Sequence, residues 1–227
     1  MDAEGKLRFP CLVLDHDDTT VNSTATVHYP SFVAYMEKKY PGKPIMTLEE
    51  YFRYNFDPGV VKMFTEICGM TWEEMLEEEE FWKEYVKQYV PKAYPGIREI
   101  LLEHRRRGGK ICVVSHSFRE YILRDYREND LPEPDLIYGW EYPPEQRKPD
   151  PWPLKKIMET LGFRAEELLV VDDLKPGYDM AKAAGTPFAA AGWANDIPEI
   201  RAFMMKNCDR YFRTVGELKA YLFMTNE

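Results

Sequence analysis

Short apolar runs alternate with amphipathic stretches along most of this chain. Apolar runs of this length, each bounded by turn or polar residues, are typical of strands buried on both faces of a sheet. They occupy residues 11–15, 110–115, 135–140, 168–173 and 186–193. Helical spacing of apolar residues predicts helices among them, at residues 97–107, 118–128, 153–161 and 178–184. This alternation indicates an α/β fold, with a Rossmann-like parallel sheet core and helices on both of its faces.

One long segment, residues 24–92, breaks the alternation because it contains no strand-like run. Helical spacing predicts helices there instead, at residues 31–40, 47–56, 60–68 and 71–90. Thr71 and Glu74 have the spacing of a capping box, and the acidic run Glu77–Glu80 predicts a solvated helix face. We therefore expect an all-α domain of residues 24–92, inserted into an α/β core domain formed by residues 1–23 and 93–227.

Composition narrows the class of partner. The net charge of -9 argues against general nucleic-acid binding, because phosphate contacts need clustered Lys and Arg. No apolar run is long enough to span a bilayer, and the first ten residues lack the basic-then-apolar order of a signal peptide. We expect a cytoplasmic protein without a membrane partner. Four scattered cysteines without CxxC spacing predict reduced, mostly buried thiols: Cys11, Cys68, Cys112 and Cys208.

Acidic and hydroxyl residues close three of the predicted strands. Asp15 ends the first, with Asp17 two residues on; Ser115 ends the second; Asp172 and Asp173 end the run at 168–173. Ligands of parallel sheets bind beyond the carboxyl ends of the strands, so these side chains are expected at one edge. Converging carboxylates raise one another's pKa, and a bound cation relieves that repulsion. Ligands that are all oxygen point to Mg²⁺.

A single basic residue completes this predicted cluster. Lys148, in the sequence RKPDP, falls between the second strand and the run at 168–173, where it would offset charge and hold an anionic substrate. Each feature has a structural alternative. The acidic residues after the first strand could form a turn or a helix cap, and Asp172 and Asp173 could cap a helix. Ser115 could merely end a strand, and Lys148 could be a surface lysine before a proline turn.

Taken together, four segments resemble the motifs of the haloacid dehalogenase-like superfamily. Residues 15–19 (DHDDT) resemble its DxDx[TV] motif, and Ser115 resembles the hydroxyl residue that closes its second motif strand. Lys148 lies in a KPxP context, and the pair at 172–173 precedes a helix that ends in AKAAG at residues 181–185. The motifs occur in order and cover most of the chain. The helical insertion resembles the cap of the phosphoglycolate phosphatase and β-phosphoglucomutase branch.

The resemblance implies a role for each of these residues. Asp15 would be the nucleophile that forms an aspartyl-phosphate, and Asp17 the general acid and base, whose backbone carbonyl also binds Mg²⁺. Ser115 and Lys148 would hold the transferring phosphoryl group, with the backbone N–H of His116 added to this cradle.

The metal site and the cap are implied in the same way. Asp172 and Asp173 would join Asp15 and Asp17 around Mg²⁺, and Thr19 would order the first loop. The cap would close over the site and read the rest of the substrate. His28 and Arg53 are its candidate substrate contacts.

The expected function is that of a Mg²⁺-dependent phosphatase of a small phosphorylated metabolite, acting as a monomer or homodimer. Asp17 argues against dehalogenation, because dehalogenase relatives lack the second aspartate. A sugar phosphomutase remains an alternative, since it would use the same core. Asp18 stands where the family often has glycine, whose backbone freedom eases the turn. Aspartate tolerates such angles better than most residues. Because Asp18 adds a carboxylate, a catalytically weak binding or regulatory protein remains a second alternative.

Overall fold

The computed structural model describes residues 7–223. Its contacts divide the chain into two compact units. One contains the described residues up to Val21 and from Lys92 onward, and the other is Asn22–Pro91. Of the first ten residues, which were compared above with a signal peptide, residues 1–6 lie outside the described part. Within residues 7–223, none of the helices combines the length and the apolar character needed to cross a membrane.

The first unit contains a six-stranded sheet in which every neighbouring pair of strands is parallel. Its spatial order is β5-β4-β1-β6-β7-β8, and β2 and β3 form a separate two-stranded sheet. The strands are β1 (Cys11–Leu14), β2 (Val21–Asn22), β3 (Lys92–Ala93), β4 (Lys110–Val114), β5 (Leu136–Tyr138), β6 (Leu168–Asp172), β7 (Phe188–Ala191) and β8 (Arg210–Phe212).

The described residues form α-helices in both units. They are α1 (Tyr29–Lys39), α2 (Leu48–Phe56), α3 (Val60–Lys62), α4 (Trp72–Val86), α5 (Ile97–Arg106), α6 (Arg119–Glu128), α7 (Trp152–Leu161), α8 (Lys175–Ala184), α9 (Pro198–Asn207) and α10 (Val215–Phe223). Leu12 and Leu14 pack in one apolar cluster with residues of α5, α6 and α10. Cys11 and Val13, which point to the opposite face, are also buried. The predicted α/β fold is therefore confirmed.

Three elements near the carboxyl end escape the sequence pattern. Strand β8 is a short edge strand of three residues, of which only Phe212 is buried. Its sequence therefore contains no continuous apolar run. Helices α9 and α10 have weak amphipathic patterns, because apolar residues such as Met205 and Phe223 also lie outside their buried positions. The predicted strand 135–140 is shorter in the structure, because Gly139 and Trp140 leave the ladder and the Trp140 N–H donates to the Ser117 carbonyl.

The second unit is helical, with an aromatic core around Phe32, Tyr51 and Phe64. Helix α4 begins at the predicted capping box of Thr71 and Glu74. It ends at Val86 rather than at residue 90.

The prediction that Glu77–Glu80 forms a solvated face is wrong for one of its members. Glu78 is buried, and burial raises its pKa to about 8. It lies on the same helix stripe as Met75 and Val86, three residues after the first and eight before the second.

His104 provides a test of the core that is independent of the site. Its ring is buried, its Nε2 lies 3.2 Å from the Lys110 carbonyl oxygen, and a Cβ on Gly109 would lie 2.2 Å from that nitrogen. Burial lowers the pKa of His104 from 6.5 to about 4. Because this pKa is lowered in the folded state, its stabilising contribution is complete above pH 6.5 and is lost as pH falls toward 4.

We therefore expect the stability advantage of the wild type over His104→Gln to shrink between pH 7 and pH 4.5. The full shift corresponds to about 3 kcal/mol. Urea unfolding of both proteins at the two pH values measures the difference. A difference that is the same at both values would contradict the buried neutral imidazole.

Candidate active site

The carboxyl edge of the central strands brings the predicted site residues together. Strand β1 lies between β4 and β6, and Leu14 is in register with Val113 on one side and Val171 on the other. The residues that follow these three positions therefore emerge side by side. Asp15 follows β1, Ser115 follows β4, Asp172 is the last residue of β6, and Asp173 follows it.

Lys148 reaches this edge from the loop between β5 and α7. Its Nζ donates to Asp15 Oδ1 at 2.7 Å and to Asp172 Oδ2 at 2.8 Å. All three residues are at most 6% exposed, so the ion pairs are shielded from solvent. The two carboxylates raise the pKa of Lys148 despite its burial, which keeps the ammonium charged. The surface-lysine alternative is thereby excluded.

The carboxylates at this edge outnumber the ammonium that pairs with them. Oxygens of Asp15, Asp172 and Asp173 all lie within 4.8 Å of one another. Burial is the main cause that raises the pKa of Asp15 to about 7, and the Asp172 and Asp17 carboxylates add to it, against Lys148. Burial and then Asp18 raise the pKa of Asp173. Three buried hard oxygen donors with excess negative charge fit a divalent cation such as Mg²⁺.

The start of helix α8 is built closely against Asp172. Asp172 Oδ1 accepts the N–H of Leu174 at 2.8 Å, and Oδ2 accepts Lys148. A Cβ on Gly177 would lie 2.0 Å from Asp172 Oδ2. Gly177 is therefore needed so that the first turn of α8 can pass this carboxylate.

The loop after β1 is fixed by its threonines. Thr20 Oγ1 donates to the Asp15 carbonyl oxygen at 2.7 Å, and Thr19 Oγ1 donates to Asp173 Oδ1 at 3.2 Å. The expectation that Thr19 orders this loop agrees with that contact. Asp18 has a φ of 56°, the left-handed conformation that glycine adopts most readily. Asp18 is also buried, and it is hydrogen bonded to Tyr94, whose pKa is raised first by burial and then by the Asp18 charge.

Two residues near this loop were missed by the sequence analysis. His16 Nε2 lies 3.1 Å from Asp125 Oδ2, in a buried contact, and Asp125 also pairs with Arg124 at 2.8 Å. Ser117 Oγ donates to Asp17 Oδ2 at 2.7 Å. The sequence signal for Ser117 is its position two residues after Ser115.

The imidazole of His116 links the second motif to the third. Its Nε2 lies 3.0 Å from the Lys148 carbonyl oxygen, which makes the protonated Nε2 the donor. Burial and the Lys148 charge lower the pKa of His116 to about 3, so the ring stays neutral. The predicted contribution of its backbone N–H to a phosphate cradle stays a prediction.

The two candidate substrate contacts of the helical unit have partners within that unit. Trp82 Nε1 donates to His28 Nδ1 at 2.9 Å, and the two rings stack with centroids 5.6 Å apart. Arg53 pairs with Glu49 one turn earlier on α2. That His28 and Arg53 contact a substrate stays a prediction.

Known proteins resemble this chain in sequence and in fold. A family model described as haloacid dehalogenase-like hydrolase matches residues 12–191. A pyrophosphatase PpaX from Halalkalibacterium halodurans is 27% identical over 188 residues, 81% of this chain and 83% of the relative. A phosphoglycolate phosphatase from Aquifex aeolicus is 33% identical over 153 residues, 64% of this chain and 71% of the relative. The crystal structure of a haloacid dehalogenase-like hydrolase from Bacteroides fragilis matches with a TM-score of 0.76 at 24% identity, covering 92% of this chain and 99% of that one.

The carboxylate cluster predicts that Mg²⁺ stabilises the fold. A cation at 100 times its dissociation constant adds about 2.7 kcal/mol, which corresponds to about 5–10 °C in Tm for a chain of this size. Differential scanning fluorimetry with Mg²⁺ and with chelator measures this shift. Asp173→Asn should lose most of it, and an equal shift in that variant would place the cation elsewhere.

We expect the charge of Asp18 to repel that of Asp173 and to destabilise the fold until a cation binds. Asp18→Asn keeps a side chain that tolerates a positive φ and removes the charge beside Asp173. We expect a higher Tm than the wild type in chelator, and a smaller rise on addition of Mg²⁺. Asp130→Asn is the matched control, because Asp130 is exposed and has a φ of 52°. Identical responses of the two variants would refute a role for the Asp18 charge.

Proposed function

Because the chain belongs to the haloacid dehalogenase-like hydrolase family, we propose that it is a Mg²⁺-dependent phosphatase that forms an aspartyl-phosphate on Asp15. The resemblance of the chain to this family is confirmed by the match over residues 12–191. One observation carries the proposal. The buried Asp15 carboxylate is held by Lys148 within a cluster of aspartates at the carboxyl edge of the sheet.

The charges at this edge support phosphoryl transfer. Mg²⁺ held by Asp15, Asp172, Asp173 and the backbone carbonyl of Asp17 would neutralise the repulsion between an anionic nucleophile and a phosphate dianion. Lys148 keeps its charge in the buried site, so it offers a fixed cation to a phosphoryl oxygen.

Each proposed step uses a group of this chain. Asp15 Oδ attacks phosphorus, and the bond from phosphorus to the leaving oxygen breaks as Asp17 gives that oxygen a proton. Asp17, now ionised, takes a proton from water as the water oxygen attacks the phosphorus of the aspartyl-phosphate. The Asp15 carboxylate and inorganic phosphate are the products, and Asp17 is protonated again. Ser115 and Lys148 hold the phosphoryl oxygens through both steps.

The proposed substrate is a small phosphorylated metabolite. The named relatives include a phosphoglycolate phosphatase and a pyrophosphatase, so phosphoglycolate and pyrophosphate are the first compounds to assay. Residues 24–92 are the proposed cap domain, and the remainder of the chain is the proposed core domain.

Release of inorganic phosphate from a panel of phosphate esters tests the function. The panel contains phosphoglycolate, pyrophosphate, sugar phosphates and nucleotides, each assayed with Mg²⁺ and with chelator. We expect release from a narrow subset with Mg²⁺ only. Interconversion of sugar phosphates without release would instead identify a phosphomutase. Binding of these compounds without any turnover would identify a binding or regulatory protein.

Asp15→Asn tests the nucleophile. The amide is a poor nucleophile of similar shape, so we expect hydrolysis to fall by about 1000-fold or more, with a native circular dichroism spectrum. Asp179→Asn is a matched control, because Asp179 is half-exposed and pairs with Lys175 at 2.7 Å on the surface of α8. The control should keep wild-type activity within about 2-fold. Substantial steady-state hydrolysis by pure Asp15→Asn would sink the assignment.

A further inference from the structure

Two serine hydroxyls approach the same carboxylate oxygen of Asp17 at very different distances. Ser117 Oγ lies 2.7 Å from Asp17 Oδ2, whereas Ser115 Oγ lies 3.5 Å from it. A distance of 2.7 Å is that of a strong hydrogen bond from a hydroxyl to a carboxylate, and 3.5 Å is beyond the usual range. Ser117 is therefore the hydroxyl that holds Asp17.

The position of the Ser117 hydroxyl is fixed by contacts on both sides of its backbone. The Ser117 N–H donates to Ser115 Oγ at 3.1 Å, and the Ser117 carbonyl accepts the Trp140 N–H at 2.9 Å. A Cβ on Gly139 would lie 2.6 Å from that carbonyl oxygen, so this approach requires glycine at 139. Ser117 is buried, which holds its hydroxyl away from competing water.

The same contacts separate the roles of the two serines. Ser115 Oγ accepts the Ser117 N–H, and the contact through which it donates to Asp17 Oδ2 is long, at 3.5 Å, so the proposed function assigns its proton to a phosphoryl oxygen. The single proton of the Ser117 hydroxyl is directed at Asp17 Oδ2.

We propose that Ser117 is a positioning residue for Asp17, which it holds at Oδ2 so that the proton transferred in catalysis is carried on Oδ1. The inference rests on the proposed function, in which Asp17 is the acid and base. When Asp17 is protonated, Oδ2 still accepts the Ser117 hydroxyl as a carbonyl oxygen, and the acidic proton lies on Oδ1. When Asp17 is ionised, the same bond fixes the rotation of the carboxylate, and Oδ1 takes the proton from water.

This role predicts a dependence on the leaving group. An alkoxide needs a proton as it leaves, whereas p-nitrophenolate is stable without one. Loss of a well-oriented acid should therefore slow transfer from an alkyl phosphate and leave transfer from p-nitrophenyl phosphate nearly intact. Loss of general structure would slow both substrates alike.

The test measures single-turnover formation of the phosphoenzyme by Ser117→Ala, with Mg²⁺ present. We expect a fall of about 10- to 100-fold with an alkyl phosphate and less than about 3-fold with p-nitrophenyl phosphate. Ser117→Thr retains the hydroxyl and should restore much of the rate. Ser31→Ala, which removes a buried hydroxyl from the helical unit, is the control and should match the wild type with both substrates.

Binding of inorganic phosphate separates the two serines. By calorimetry with Mg²⁺, Ser115→Ala should weaken phosphate binding by about 10-fold or more, and Ser117→Ala by less than about 2-fold. Equal slowing of both substrates by Ser117→Ala, or equal weakening of phosphate binding by the two variants, would overturn the proposal.

A crystal structure of Ser117→Ala makes the test independent of turnover. The proposal predicts that the Asp17 carboxyl group rotates or becomes disordered in this variant. An unchanged Asp17 carboxyl group would overturn the positioning role, whether or not the wild type hydrolyses any compound. A wild type that hydrolyses no compound would instead count against the proposed phosphatase.

Discussion

The buried ammonium of Lys148, between the carboxylates of Asp15 and Asp172, is the interaction on which the site depends. A buried charge is costly unless it is paired and hydrogen bonded. Removing the ammonium, or the carboxylates that surround it, would therefore leave buried charge uncompensated. The neighbouring structure maintains the pair. His116 bonds to the Lys148 carbonyl, and Gly177 leaves room for Asp172. The negative charge is nevertheless not balanced, because oxygens of a third carboxylate, Asp173, lie within 4.8 Å of oxygens of Asp15 and Asp172.

This excess of negative charge links stability to chemistry. Without a cation, burial and then the repulsion between these carboxylates raise the pKa values of Asp15 and Asp173. The same repulsion makes the edge receptive to a divalent ion, and it becomes useful when an anionic phosphate must approach an anionic nucleophile. Asp18 adds to it at a position where glycine would carry no charge. The fold thus tolerates charge repulsion at the carboxyl edge of the sheet, because the buried apolar strands stabilise it.

The sequence predicts the central strands and their site residues because continuous apolar runs end directly in charged or hydroxyl residues, as at Asp15 and Ser115. It does not predict β8, whose single buried side chain leaves no periodic signal. The acidic run around Glu78 predicts a solvated face because acidic residues are seldom buried, yet the helix register places Glu78 inside. The role of Ser117 depends on a contact across 100 residues, which spacing alone does not reveal.

The most direct test of the account is the chemical identity of the residue that carries the phosphoryl group. Asp17→Asn would be mixed with Mg²⁺ and p-nitrophenyl phosphate, whose leaving group needs no proton, and then reduced with borohydride, which converts an aspartyl-phosphate to homoserine. Peptide mass spectrometry then locates the homoserine. The account predicts homoserine at position 15 only, and only when Mg²⁺ and substrate are both present. Homoserine at another aspartate, or phosphate release by the wild type with no modified residue in the trapped variant, would contradict it.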